Sequence, residues 1–208
     1  MRYIIMCGGR YLWRKHFEKI KGEILIERTI RLLRENGVED IAISSNDDDF
    51  EQFGVPILKR ENKFTYNSAD KSEQYWVDGF YTTDDPVCYI FGDVVFSPEA
   101  IKTIVKTETD DVEFFASAPP FDERYIKPWA EPFAFKVTDT QHFKTSIAVV
   151  KRWQDAGLFK RIPIAWELWQ VIKDTPINEI NYSNYTVIND YTCDIDYRDE
   201  PEQIEQFV

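Results

Sequence analysis

Three places in the sequence carry residue types that could do chemistry together. The first is Met6-Cys7-Gly8-Gly9-Arg10, with Arg14 and Lys15 close behind. Paired glycines after an apolar run let backbone N–H groups approach a phosphate, and cations just beyond can hold a polyphosphate tail. The second is Phe91-Gly92-Asp93, an aspartate at the end of a continuous apolar stretch. A carboxylate at the carboxyl end of a buried parallel strand lies where α/β proteins bind ligands, and can hold Mg²⁺. A turn aspartate capping the next helix is the plainer alternative, although Ser97 already suits that role. The third is Asp194-Ile195-Asp196, whose carboxylates point the same way if the segment is extended. An acidic, solvated C-terminal stretch would look the same.

The elements that must position these groups follow from periodicity. Residues 3–6 form a first strand, and residues 22–37 a helix with Ile26, Ile30 and Leu33 on one face, ended by Asn36-Gly37. Strands follow at 40–44 and 55–58, a polar loop at 62–72, a helix at 73–81 and a central buried strand at 87–91. Ser97-Pro98-Glu99 supplies an N-cap, a first-turn proline and a first-turn acid. Beyond it, strands are expected at 112–117, 132–137 and 185–188, helices at 145–156 and 163–173, and a short terminal helix from Pro201. The β-α-β order predicts a parallel sheet with right-handed crossovers. The expected fold is α/β and three-layered, a mostly parallel central sheet flanked by helices, with an irregular second half. No linker or repeat divides the chain, so residues 1–208 are expected to form one domain.

Composition sets the class. The chain has 25 Lys and Arg against 37 Asp and Glu, a net charge of −12, which argues against a nucleic-acid binder and makes the N-terminal cations a local exception. Cys7, Cys88 and Cys193 are far apart and fit no metal-binding spacing, so buried free thiols in a reducing compartment are expected. No stretch resembles a signal peptide or is long and apolar enough to span a membrane, which makes the cytoplasm the expected location.

The run of strand, Cys7-Gly8-Gly9-Arg10, Lys15 and then Ile20-Lys21-Gly22-Glu23-Ile24-Leu25-Ile26-Glu27-Arg28-Thr29-Ile30 resembles the start of the sugar-phosphate nucleotidyltransferases. Phe91-Gly92-Asp93 is similar to their strand-end metal aspartate, and Asp194-Ile195-Asp196 followed by Pro201-Glu202 to their C-terminal metal segment. The resemblance implies a Rossmann-like, GT-A type fold, with a nucleotide-binding half to about residue 110 and an acceptor-binding half from about 111 to 208. It implies a reaction joining a nucleoside triphosphate to a sugar phosphate or similar alcohol phosphate, with release of pyrophosphate and dependence on Mg²⁺. Asp93, Asp194 and Asp196 would then hold the metal. Arg10 and Lys15 would offset triphosphate charge, and Met6, Cys7, Gly8, Gly9 and Arg14 would line the nucleotide. Trp129, Glu131 and Lys136 are the acceptor-side candidates, with an ordinary exposed strand lysine as the alternative for Lys136. The sequence departs from the family in its loop: only Tyr11-Leu12-Trp13-Arg14 separates Arg10 from Lys15. A GT-A glycosyltransferase and a non-catalytic nucleotide-binding module therefore stay open, as do the base, the acceptor and the oligomeric state, a homo-oligomer included. His16 and His142 read as surface or packing residues, Asp47-Asp48-Asp49 as a turn or cap, and Trp153, Trp166 and Trp169 as core. Trp13 is a candidate cover for the nucleotide.

Overall fold

The computed structural model describes residues 1–8, 13–60, 75–117 and 130–208. Arg2–Met6 (β1) enters the sheet directly, and a hairpin of Lys19–Ile20 (β2) and Glu23–Ile24 (β3) precedes the helix Leu25–Glu35 (α1). This hairpin lies outside the sequence expectation. It turns on Lys21 and Gly22, both at positive φ (49° and 82°), as tight two-residue hairpin turns require. The chain continues through Ile41–Ser44 (β4), Ile57–Leu58 (β5), Val87–Phe91 (β6), Val94–Val95 (β7), Pro98–Lys106 (α2), Val112–Ala116 (β8) and Pro132–Val137 (β9). Thr140–Asp155 (α3), Ala165–Ile172 (α4), Thr186–Val187 (β10), Cys193–Asp194 (β11) and Glu200–Ile204 (α5) complete it.

Seven strands form one sheet in the order β10-β8-β9-β6-β1-β4-β5. β9 runs antiparallel to both neighbours, and the other pairings are parallel. All five residues of β6 are buried, as a central strand covered on both faces demands. α1 packs with α2 and α3 with α4, so helices flank the sheet in three layers. Under α3 and α4 lies an aromatic layer. Phe114 stacks on Phe135 at 4.5 Å between ring centres, and Tyr89 on Phe143 at 5.6 Å. Trp166 and Trp169 close the same layer, as core residues.

Two helices differ from their expected bounds. Of the one anticipated over 73–81, the described part is a single 3-10 turn, Trp76–Gly79. α3 begins at Thr140, a turn or more before the expected start, because the Asp139 side chain caps it by accepting from the His142 N–H. The polar loop at 62–72 lies outside the described residues. Among the described residues no helix is long and apolar enough to cross a membrane.

Register determines what meets at the carboxyl edge. Met6 pairs with Phe91, while β9 runs the other way, from Ala134 opposite Ile90 to Val137 opposite Val87. The ends of β1, β4, β6 and β8 therefore share one edge with the start of β9. Gly92 continues β6 there, donating to the Met6 carbonyl at 3.0 Å. A Cβ at Gly92 would stand 2.6 Å from Cys7 Sγ and 2.7 Å from the Met6 oxygen. Only glycine allows this approach. After it, β7 pairs antiparallel with β11, Val94 opposite Asp194. Ile20, Leu25, Val95, Cys193, Ile195 and Ile204 form a second small core beneath this ribbon. Burial of Ile195 inside an otherwise acidic segment is what docks the C-terminal region against the strand end.

Candidate active site

Lys15 opens a single 3-10 turn, Lys15–Phe17, and reaches across to the ribbon. Its ammonium pairs with the Asp93 carboxylate and donates to the Ile195 carbonyl at 3.1 Å. Groups from three distant segments thus meet at one point, because β7 and β11 pair and the Ile195 N–H donates to the Asp93 carbonyl at 2.9 Å. Burial would raise the Asp93 pKa, but the charges of Lys15 and His16 outweigh it and hold the carboxyl below its ordinary value. Asp93 is an anion at neutral pH.

Three further carboxylates form a group of their own, to which Asp93 does not belong. Oxygens of Glu131, Asp194 and Asp196 lie within 4.8 Å of one another. Glu131, expected on the acceptor side, is buried, and its Oε2 accepts from the Asp194 N–H at 3.0 Å. An irregularity between β8 and β9, where Ala116 pairs with Pro132 after Phe115 pairs with Ala134, directly follows this position. Such bulges re-aim side chains beside sites. Glu200 shapes the other end: its Oε2 accepts from the N–H groups of Asp196 at 2.6 Å and Tyr197 at 3.0 Å. All these donors are hard oxygens, the set that suits Mg²⁺.

The remaining candidates are placed as follows. Met6 ends β1 and Cys7 follows it, buried, its thiol pushed well up by burial, further raised by Asp93 and opposed by Arg60. Gly8 follows them, while Gly9, Arg10 and Trp129 lie outside the described residues. Arg14 binds Asp47 at 2.9 Å and Asp49 at 2.6 Å and lies over the Phe17 ring at 4.0 Å. Asp47 caps the 3-10 helix Asp48–Phe53. Two of the three acids after β4, Asp47 and Asp49, thus anchor Arg14, while Asp48 pairs with Lys59.

Lys136 stands apart from the other candidates. It pairs with Cys88 near the start of β6, at the amino edge of the sheet, and donates to the carbonyls of Val105 (2.9 Å) and Thr107 (2.6 Å) at the end of α2. It is neither an exposed strand lysine nor at the carboxyl edge, because β9 runs antiparallel. Trp13 likewise departs from its expected role: it packs on the second core and donates to Glu18 at 2.5 Å. His16 is a packing residue, buried edge-on to Phe50. His142 binds Asp111 at 2.6 Å.

Arg60, just past β5, is a site neighbour that sequence reasoning missed. A Cβ on Gly8 would lie 3.2 Å from its Nη2. A lone arginine beside Lys59 at the start of a polar stretch carries no pattern that singles it out.

No protein-family model matches the sequence, and no curated protein matches it either. Solved structures do match. A crystal structure assigned as a glucose-1-phosphate thymidylyltransferase from Bacillus anthracis, with sucrose bound, is 15% identical over 69% of this chain and 74% of that one. Its TM-score of 0.43 carries no weight here. The inositol-1-phosphate CTP transferase from T. maritima superposes with a TM-score of 0.52 at 16% identity, covering 99% of this chain and 95% of the other. At that identity the likeness concerns architecture: this chain has the fold of a sugar-phosphate nucleotidyltransferase.

Proposed function

We propose that the protein is a nucleotidyltransferase that joins a nucleoside triphosphate to a phosphorylated sugar or similar alcohol phosphate and releases pyrophosphate. The observation that carries this reading is the meeting of Lys15, Asp93 and the Asp194-Ile195-Asp196 segment at the carboxyl edge. A phosphate acceptor and a triphosphate donor need positioning and charge neutralisation, and no protein nucleophile. An acceptor phosphate oxygen forms the new bond to the α-phosphorus, and the bridge to the β-phosphate breaks, so pyrophosphate leaves with its charge.

The residues divide this work. Lys15, at the end of the glycine segment, offsets charge on the triphosphate, and Arg10 shares that role. Met6, Cys7 and Gly8 present backbone groups to the base, and Gly9 and Arg14 are further candidates to line the nucleotide. Asp93, Asp194 and Asp196 would hold Mg²⁺, with Glu131, whose carboxylate groups with those of Asp194 and Asp196 and not with that of Asp93, as a further candidate ligand. When bound, the ion supplies electrostatic stabilisation of the phosphate oxygens. The acceptor lies toward β8 and β9, beyond Glu131, and Trp129 is a further candidate to contact it. The three buried thiols suit a reducing compartment, and we place the protein in the cytoplasm.

The test is a pyrophosphate-release screen of CTP, UTP, GTP, dTTP and ATP against hexose, heptose, polyol and choline phosphates with Mg²⁺. Release with one base and one acceptor class is expected. Nucleotide binding without release under any pairing would replace the enzyme with a binding module. Transfer from an activated sugar would favour a glycosyltransferase.

A further inference from the structure

The nucleotidyltransferase reading leaves the base undefined, and Arg60 bears on it. β5, which delivers Arg60, lies two strands from β1 on the flank opposite β6 and Asp93. The residue is partly buried and its backbone N–H donates to the Asn46 side chain at 2.7 Å. Its Nη1 donates to the Gly79 carbonyl at 3.1 Å. Those two bonds lay the guanidinium along the end of β1, where a Cβ on Gly8 would come within 3.2 Å of Nη2 and 3.5 Å of Nη1. The Met6 methyl lies on the same spot, 3.4 Å from where a Gly79 Cβ would stand. The planar cation thus packs over both glycines beside the Met6 methyl, at the end of β1 where the base is placed in the reading above. Neutralisation of phosphate charge belongs to the other flank, with Lys15.

We infer that Arg60 reads the nucleobase and that the donor is a nucleotide whose base presents two adjacent hydrogen-bond acceptors, cytosine or guanine. This rests on the nucleotidyltransferase reading above. A guanidinium is a rigid fork of donors, so it pairs best with two neighbouring acceptors. Guanine offers O6 and N7, and cytosine offers O2 and N3. Adenine sets an amino donor beside its ring acceptors, and uracil and thymine set an N–H between their carbonyls. Those bases meet the fork with a donor against a donor.

Calorimetric titration with CTP, GTP, UTP, dTTP and ATP in Mg²⁺, without acceptor, tests this on wild type, Arg60→Lys and Arg60→Met, with far-UV circular dichroism to verify folding. Wild type should bind CTP or GTP about tenfold or more above ATP. Both variants should bring that preference below about threefold, with pyrophosphate affinity unchanged. The lysine variant keeps the charge and loses the fork, so a retained preference there overturns the inference. Equal weakening toward all five nucleotides also overturns it, because the guanidinium would then serve the phosphates. A wild-type preference for ATP, UTP or dTTP does the same. If wild type binds no nucleotide, the nucleotidyltransferase reading itself falls; if it binds with the ranking intact in the variants, only the role of Arg60 falls.

Discussion

At the amino edge of the sheet Lys136 gives its amine to two main-chain carbonyls; at the carboxyl edge Lys15 gives its amine to Asp93 and to the Ile195 carbonyl. Both lysines are drawn out of water, yet they sit in different electrostatic settings. Lys136 has neutral partners, and burial lowers its pKa against weaker opposition from Cys88 and Glu108. Its bonds finish a helix that would otherwise end with unmet carbonyls. Lys15 instead faces an anion and donates to a carbonyl of the Asp194-Ile195-Asp196 segment, whose carboxylates group with that of Glu131. A charge cluster of that kind, mutually held at a strand edge, is poor value for folding alone. Burial of a lysine therefore says little; the partner decides whether it closes an element or furnishes a site.

The sharpest way to break this contrast is Asp93→Asn, which keeps volume and removes the anion. Pyrophosphate release should fall by at least ~10²-fold, as when an enzyme loses one preorganised charge contact. Unchanged turnover would place the chemistry elsewhere. Gly92→Ala attacks the same edge through the backbone. Its methyl cannot coexist with Cys7 Sγ and the Met6 oxygen at their present places, so the turn must shift. A stability loss of roughly 1–3 kcal/mol in urea unfolding is expected, together with loss of turnover because Asp93 moves.

Much of the carboxyl edge was legible before the fold. The apolar runs behind β1 and β6, the helix α1 with its Asn36-Gly37 stop, and Ser97 as a cap are local patterns, and the structure has them. Lys15, Asp93 and Asp194-Ile195-Asp196 stand out by residue type and by position after a strand. What was not legible is long-range. β7 and β11 are two residues each, too short to show a period, and they exist because they pair across the chain. Glu131 joins the carboxylates through that pairing and through the irregularity beside it. Lys136 was misread because its site depends on β9 running antiparallel, and no residue in β9 encodes direction. Arg60 depends on a fold-wide approach to Gly8 that leaves no mark in its neighbours.

Glu131→Gln separates the two meanings of that buried carboxylate. Glutamine keeps an oxygen that can accept from the Asp194 N–H, so the unfolding midpoint should hold. Mn²⁺ affinity, read by electron paramagnetic resonance, should drop by at least about tenfold if Glu131 is a ligand. At the other edge, Lys136→Met should cost about 1 kcal/mol in unfolding through the two abandoned carbonyls. It should leave the KM for every substrate unchanged; a raised KM for the acceptor would return Lys136 to the site.

The last effect is a pH slope, and it reports on the local field around Lys15. His16 follows Lys15 in the same turn, and its pKa is lowered from 6.5 to about 4, first by burial and then by the charges of Lys15 and Arg14, with Asp93 and Asp47 opposing. Between those values the unfolded chain takes up a proton that the native ring refuses. Stability should therefore be full above 6.5, fall as pH drops toward about 4, and lose nothing further from this group below that. His16→Gln should flatten that part of the slope in urea titrations at stepped pH. In Asp93→Asn the slope should instead extend to lower pH, because Asp93 is the first of the charges favouring the protonated ring. A slope unaffected by Asp93→Asn would mean that the carboxylate and the imidazole do not share one field, and would uncouple His16 from the Lys15–Asp93 pair.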